Sequence, residues 1–295
     1  MITNKVFRKS LKKEKYSQEQ NKKWWEERPM NYDWNEKKKV ISLLSLHDIK
    51  HIDKSFFDIS QEFAHPNYPN QKYFDTLIDY EFIKDKKVLE IGCGLGSHAG
   101  LIAKNCEAYT GVDITEYAIE FTKKRFELMN VGNGKVFRAD AEKLPYDNQS
   151  FDYVWSWGVI HHSNNIEKII SEIHRVLKKN GRSTIMVYNK KSIRYYWHGI
   201  YQGIFKLKFL KFKSLYDINM SYTDGYIANH YTRKDIFKLF KNFFIKKIKV
   251  FDSGIPSLGF GWHRFSLLFP KLTNKINQFL NNKFGWFLVI NVKKN

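Results

Sequence analysis

Residues 86–100, KKVLEIGCGLGSHAG, constrain this chain more than any other stretch. An apolar run ending in Glu90 leads directly into glycines at 92, 94 and 96, and a helical pattern follows. Glycine accepts backbone angles closed to other residues and lets main chain approach a ligand. A strand, a glycine turn and a helix N-terminus form the first unit of an open parallel sheet, which binds ligands at the carboxyl ends of its strands. The same alternation continues downstream. AYTGVDI (108–114), GKVFRAD (134–140), SFDYVWSWGVI (150–160) and RSTIMVYN (182–189) read as strands. TEYAIEFTKKRFELMN, opening on a threonine cap, and NIEKIISEIHRVLKKNG, with isoleucines and valine along one side, read as the helices between them. Such βαβ units build a parallel sheet with helices on both faces.

Around this sheet the chain is less regular. Residues 1–85 read as a mostly helical N-terminal extension, in which NKKWWEERPMNYDW is the most unusual segment. Arg28 and Tyr32 lie where a lid would touch a ligand, and Trp24, Trp25 and Trp34 suit either a lid or plain packing. Residues 86–295 are expected to form the catalytic-type domain, with insertions at about 190–230 and 254–284, after the fifth and sixth strands. The expected fold is therefore a Rossmann-like, seven-stranded, mostly parallel α/β sheet.

Composition excludes several classes. Cys93 and Cys106 form neither a disulfide framework nor a metal-binding spacing, so no metal is expected, and a reducing, cytoplasmic setting is. The N-terminus has basic residues but no apolar core of a secretory signal, and no run approaches the ~18 apolar residues of a membrane span. The net charge of +20 is unevenly distributed. Residues 86–181 carry 13 basic and 12 acidic side chains, whereas residues 182–250 carry 15 against 3. That basic region suits an anionic partner, unless it only reflects a lysine-rich composition.

The spacing here is G-x-G-x-G, with Ser97 where the third glycine of a dinucleotide fingerprint would fall. Two carboxylates sharpen the reading. Asp113 ends the second strand, where it can accept both hydroxyls of a ribose. Asp140 ends the third, where it can take an adenine amino hydrogen. A nicotinamide site needs the other glycine spacing and gives Asp140 no task. With VLEIGCGLGSHAG, TGVDIT, ADAEKLPYDNQSFDYVWSWGVIHHSNN and EIHRVLKKNGRSTIMVYN in this order, the chain resembles the class I S-adenosylmethionine-dependent methyltransferases, in particular the type 11 group that includes ubiquinone-pathway enzymes. The resemblance covers residues 86–189.

It implies S-adenosylmethionine as cofactor and S-adenosylhomocysteine as product. By the same resemblance, Gly92, Cys93, Gly94 and Gly96 bring backbone to the amino-acid part of the cofactor and Glu90 organises their loop. Asp113 and Ile114 meet ribose and adenine, Asp140, Ala141 and Glu142 surround the adenine edge, and Trp157 walls the methionine end. Where the group usually has Pro-Gly-Gly, this chain has Lys179-Asn180-Gly181, in a turn away from the cofactor.

Methyl transfer from a sulfonium is an in-line displacement. The protein aligns the nucleophile, excludes water and, for a hydroxyl acceptor, removes a proton. His161 and His162, just past the fourth strand, are the candidate catalytic bases, with bracing of the loop as the alternative. Tyr188, Asn189 and Tyr32 are candidates to position the acceptor. The chain lacks the Asn/Asp-Pro-Pro-aromatic motif of amino-group base methyltransferases and a suitably placed cysteine for pyrimidine carbon chemistry. The expected acceptor is a small molecule, foremost an oxygen of a sugar, glycan precursor or secondary metabolite. The alternatives are RNA, held by the basic C-terminal region, and a lipid or quinone reached by peripheral contact with an anionic membrane, for which IYQGIFKLKFLKFKS has the composition of an interfacial helix.

Overall fold

The computed structural model describes residues 17–28, 46–52, 77–251 apart from 213, 222 and 224, and 267–295. Tyr32, Trp34 and most of the expected N-terminal extension lie outside the described residues, as do residues 252–266, which include the start of the second expected insertion. Helices α1 (Gln18–Glu27), α2 (Leu46–Ile49) and α3 (Tyr80–Ile83) precede the sheet. The alternating part runs β1 (Lys87–Ile91), α4 (Ser97–Ala103), β2 (Ala108–Asp113), α5 (Glu116–Leu128), β3 (Gly134–Arg138), β4 (Phe151–Trp157), a 3-10 turn at Ile160–His162, α6 (Ile166–Val176) and β5 (Leu177–Asn189). Then follow α7 (Ile193–Ile204), a 3-10 turn at Lys208–Leu210, α8 (Leu215–Met220), β6 (His230–Tyr231), α9 (Arg233–Leu239), β7 (Phe244–Phe251), α10 (Pro270–Phe284) and β8 (Phe287–Lys293).

The strands lie in the order β3-β2-β1-β4-β5-β8-β7. β1 to β5 are mutually parallel, and β8 runs antiparallel between β5 and β7. The two-residue β6 pairs with the end of β5, so the sheet has eight strands rather than the seven expected. Two residues are too few to leave a periodic signal.

A second difference concerns the end of α6. The sequence suggests a helix running to Gly181, but it stops at Val176, and Leu177 is already extended (φ −70°, ψ 136°). Phe151 pairs with Leu177 and Tyr153 with Arg182, so the intervening residues bulge out of the ladder. Asn180 takes φ 65° there, and its N–H donates to the Lys294 carbonyl at 3.0 Å. Pairing with the strand end outweighs the helical tendency of two lysines.

Strand alternation sorts the core into two layers. Val88, Tyr109, Tyr153, Trp155, Tyr188 and Phe287 share one face, whereas Leu89, Ile91, Val112, Val154, Ile185 and Leu288 share the other. The aliphatic face takes α6, whose Ile166, Ile169, Ile170, Ile173 and Val176 are all buried. Each such side chain contributes roughly 1.5–3 kcal/mol by leaving water. The other face is aromatic, and it carries Glu90.

Candidate active site

The loop after β1 opens a cavity of about 240 Å³ at the carboxyl ends of β1, β2 and β4. Gly92, Gly94 and Gly96 all have positive φ, at 75°, 52° and 76°. Their reasons for being glycine differ. A Cβ at Gly92 would fall inside the Val159 side chain, and one at Gly96 would press on Thr122 and Arg125. A Cβ at Gly94 would meet no atom within 4 Å, because that position borders the cavity. Gly94 therefore forms a cradle in which backbone, with no side chain in between, faces a ligand. The loop is anchored by N–H groups of Gly92 and Cys93 donating to the Val112 carbonyl at 2.7 and 3.1 Å. Cys93 is buried, and burial raises its thiol pKa well above the ordinary value, so it fills space as a neutral thiol.

Asp113 ties the first two loops together. Its Oδ2 accepts from the Gly94 N–H at 3.1 Å, and its Oδ1 accepts from the Thr115 N–H and hydroxyl at 3.0 and 2.9 Å. Thr115 also caps α5 by accepting from the Ala118 N–H, so one threonine sets both the helix start and the carboxylate's orientation. Asp113 and the neighbouring Ile114 and Ala118 line the cavity. Burial raises the Asp113 pKa, opposed by the hydrogen bonds from Thr115 and Gly94.

Glu90 is buried beneath the loop and lines the cavity. Its Oε2 accepts from the Tyr109 hydroxyl at 2.6 Å, and the His98 Nδ1 lies 3.8 Å from Oε1. Burial pushes its pKa from 4.5 up to about 8, against a lowering by the Tyr109 hydrogen bond and with a further rise from Asp113. Burial thus shifts this carboxyl toward its protonated form near neutral pH. His98 is fixed in turn by the Trp155 indole N–H, which donates to its Nδ1 at 3.3 Å.

Asp140 and Glu142 border the cavity rather than line it. The Asp140 Oδ1 accepts from the Glu142 N–H at 2.8 Å and from the Gln18 side-chain amide at 2.9 Å. The Glu142 Oε1 accepts from the Ser163 hydroxyl at 2.7 Å. Their neighbours Ala139, Ala141 and Ser163 do line the cavity.

The far end is aromatic. Trp157 stacks on Trp155 at 5.4 Å and 6°, and Trp157, Met186, Tyr188 and Phe287 form the wall. The two histidines separate here. His162 lines the cavity, and its Nδ1 sits 2.6 Å from the Ile227 carbonyl. A carbonyl only accepts, so Nδ1 carries the proton and Nε2 is the basic nitrogen. His161 is fully buried outside the lining, packed on Tyr188 at 4.0 Å and on His162 at 4.2 Å. Burial and the neighbouring histidines hold its pKa far below the ordinary value, so it is a neutral ring. Asn189 likewise lies outside the lining. Its side chain donates to the Gly285 carbonyl at 2.8 Å and accepts from the Lys191 N–H at 2.9 Å, locking the β5 exit to the start of β8.

Helix α1 supplies a wall of which the sequence reading named Trp25, as lid or packing, but neither Gln18 nor Asn21. Gln18, Asn21 and Trp25, spaced three and four apart, all line the cavity from one helix face. Trp25 meets the His162 ring edge-on at 5.1 Å. Arg28, at the helix end, pairs instead with Glu27 at 3.0 Å. The structure buries Asn21, which the sequence does not signal, because a polar helix face is ordinarily a solvated one.

Residues 89–185 match the family described as "Methyltransferase domain". Over 98 residues the chain is 35% identical to the phthiotriol/phenolphthiotriol dimycocerosates methyltransferase of Mycobacterium tuberculosis, covering 32% of this chain and 35% of that protein. Over 116 residues it is 30% identical to the fatty-acid O-methyltransferase of Mycolicibacterium smegmatis, covering 39% and 41%. The chain thus spans well under half the length of these curated relatives. A crystal structure described as an SAM-dependent methyltransferase from Methanosarcina mazei superposes with a TM-score of 0.51 at 20% identity, covering 75% of this chain and 96% of that one. That likeness shows the fold. With the glycine loop, the Asp113 anchor and the strand order on the page, residues 89–185 carry a methyltransferase domain of the type 11 group.

Proposed function

We propose that the protein transfers a methyl group from S-adenosylmethionine to a small, largely apolar acceptor bound at the aromatic end of the cavity. The observation that carries this reading is the cavity's polarity gradient. One end offers the Gly94 cradle and the Asp113 carboxylate; the other offers Trp25, Trp157, Met186, Tyr188 and Phe287, with the His162 and His98 imidazoles beside them. These residues fit the cofactor. The backbone at Gly94 leaves room for it, Asp113 accepts hydroxyls, and Ile114 with Ala141 provides an apolar slot for a base.

The bound cofactor supplies an activated methyl on a sulfonium. The protein's own tasks are alignment, exclusion of water and management of one proton. Trp157 and Trp25 exclude water. His162 Nε2, with Nδ1 held by Ile227, accepts a proton from a hydroxyl acceptor. A sugar needs a ring of donors and acceptors, and the aromatic wall offers few. An aliphatic or aromatic alcohol suits it better. Both relatives above are named for lipid substrates, which favours the same class.

The test is incubation of the protein and methyl-labelled S-adenosylmethionine with cell extract, followed by partition. Label in the solvent-extractable fraction supports the reading. Label in polar metabolites or RNA refutes the apolar acceptor, and cofactor binding without transfer to any fraction refutes the activity.

A further inference from the structure

Helix α7 is two-faced in an unusual sense. Its inner side, Ser192, Tyr195, Gly199 and Gly203, packs inward. The two glycines let neighbours approach there: a Cβ on Gly199 would press on Leu215 and one on Gly203 would overlap the Phe209 ring. The outer side is also apolar. Tyr196, Trp197, Ile200, Tyr201 and Ile204 are all exposed, at the spacing of a single helical stripe. The stripe continues past the helix into Phe205, Leu207 and Leu210, the last 85% exposed. Large rings and aliphatics exposed together over one helix and its following turn mark an interaction surface.

Charge indicates what the surface meets. Residues 190–213 contain seven basic side chains and no acidic one. Lys206 and Lys211 flank the exposed Leu207 and Leu210 and are themselves exposed. Tryptophan and tyrosine on one stripe, with lysines interleaved at its end, is the composition of a segment lying in the interface of an anionic bilayer. A protein partner of ordinary composition gives no reason for the complete lack of acids, and a nucleic acid gives none for Ile200, Ile204, Leu207 and Leu210.

Placement links the stripe to the cavity. Tyr195, on the inner side of α7, packs on His230 at 4.9 Å, and His230 packs on Tyr188 at 5.4 Å. Tyr188 is part of the aromatic cavity wall. We infer that the outer face of α7 and the turn after it form a docking surface for an anionic membrane, seating the aromatic end of the cavity next to the bilayer. The inference goes beyond the proposed reaction and is tested without turnover.

The full chain is sedimented with vesicles of phosphatidylcholine alone and of equimolar phosphatidylcholine and phosphatidylglycerol. Co-sedimentation with the anionic vesicles, weakened by salt, is expected. Lys206→Glu with Lys211→Glu changes the charge by four units and lowers it by about two to three orders of magnitude, at about fivefold per unit of charge. Trp197→Ser with Phe205→Ser and Leu210→Ser abolishes it, while circular dichroism and S-adenosylmethionine binding stay as in the parent. Brominated acyl chains quench a tryptophan signal that is absent from Trp197→Phe. Failure to bind anionic vesicles overturns the inference, as does equal sedimentation of parent and variants. So does a stripe variant that instead turns a dimer into a monomer, or a lysine variant that loses RNA binding where no vesicle binding exists.

Discussion

Replacing Glu90 by glutamine isolates a carboxyl whose pKa burial raises on the aromatic face of the sheet. Glu90 is 2% exposed, and burial moves its pKa from 4.5 to about 8. The unfolded chain ionises this group near pH 4.5 and the native protein does so only near pH 8. Between those values the native state binds more protons, so its stability relative to the unfolded chain falls as pH rises. With each pKa unit worth about 1.4 kcal/mol, the penalty grows by about 3–4 kcal/mol from pH 5 to pH 8 and levels off above. Glutamine keeps an oxygen to accept from the Tyr109 hydroxyl and removes the ionisation. Urea midpoints across that range, compared at constant m, are expected to show the parent losing about 3–4 kcal/mol against Glu90→Gln. The contribution of Asp113 cancels in this difference to first order. A difference that stays flat within about 0.5 kcal/mol would falsify the raised pKa. The same ionisation couples to the ligand. A cationic ligand in the cavity favours ionised Glu90, so S-adenosylmethionine affinity of the parent rises with pH toward 8, whereas that of the variant does not.

The glycine loop gives a paired prediction. Gly92→Ala places a Cβ inside Val159 at φ 75° and should cost about 1–3 kcal/mol or more, read by thermal unfolding. Gly94→Ala at φ 52° meets open space, so it should cost only about 1 kcal/mol yet weaken S-adenosylmethionine binding at least about tenfold; parental affinity by calorimetry would count against the cradle. His162→Gln should lower kcat about 100-fold or more with cofactor affinity retained. His161→Gln should instead lower stability by about 1–3 kcal/mol, and the reverse pattern would exchange their roles.

Much of the fold was legible because its signals are local. Strand–glycine–helix punctuation, the Thr115 cap and the α6 isoleucine stripe are decided within a few residues, and their order alone specifies a parallel α/β sheet with its ligand end at Gly92–Gly96. Asp113 was legible for the same reason, since a residue ending the strand beside the glycines must face them. His161 and His162, Tyr188 and Asn189 were legible only as neighbours. Adjacent residues in a tight turn point to different sides, and only packing decides that His162 enters the cavity while His161 is walled in by Tyr188.

The α1 wall, the two-residue β6 and the early start of β5 depend on contacts between residues far apart in the chain. Gln18 reaches Asp140 across 122 positions, and no periodicity records such a meeting. The sequence by itself determined the kind of sheet, the glycine-loop end at which the cavity opens and the excess of basic residues near the C-terminus. Only the tertiary structure decided which side chains line the cavity, that Glu90 is buried with a raised pKa, and that α7 turns its aromatic stripe outward, because burial and facing follow from long-range packing.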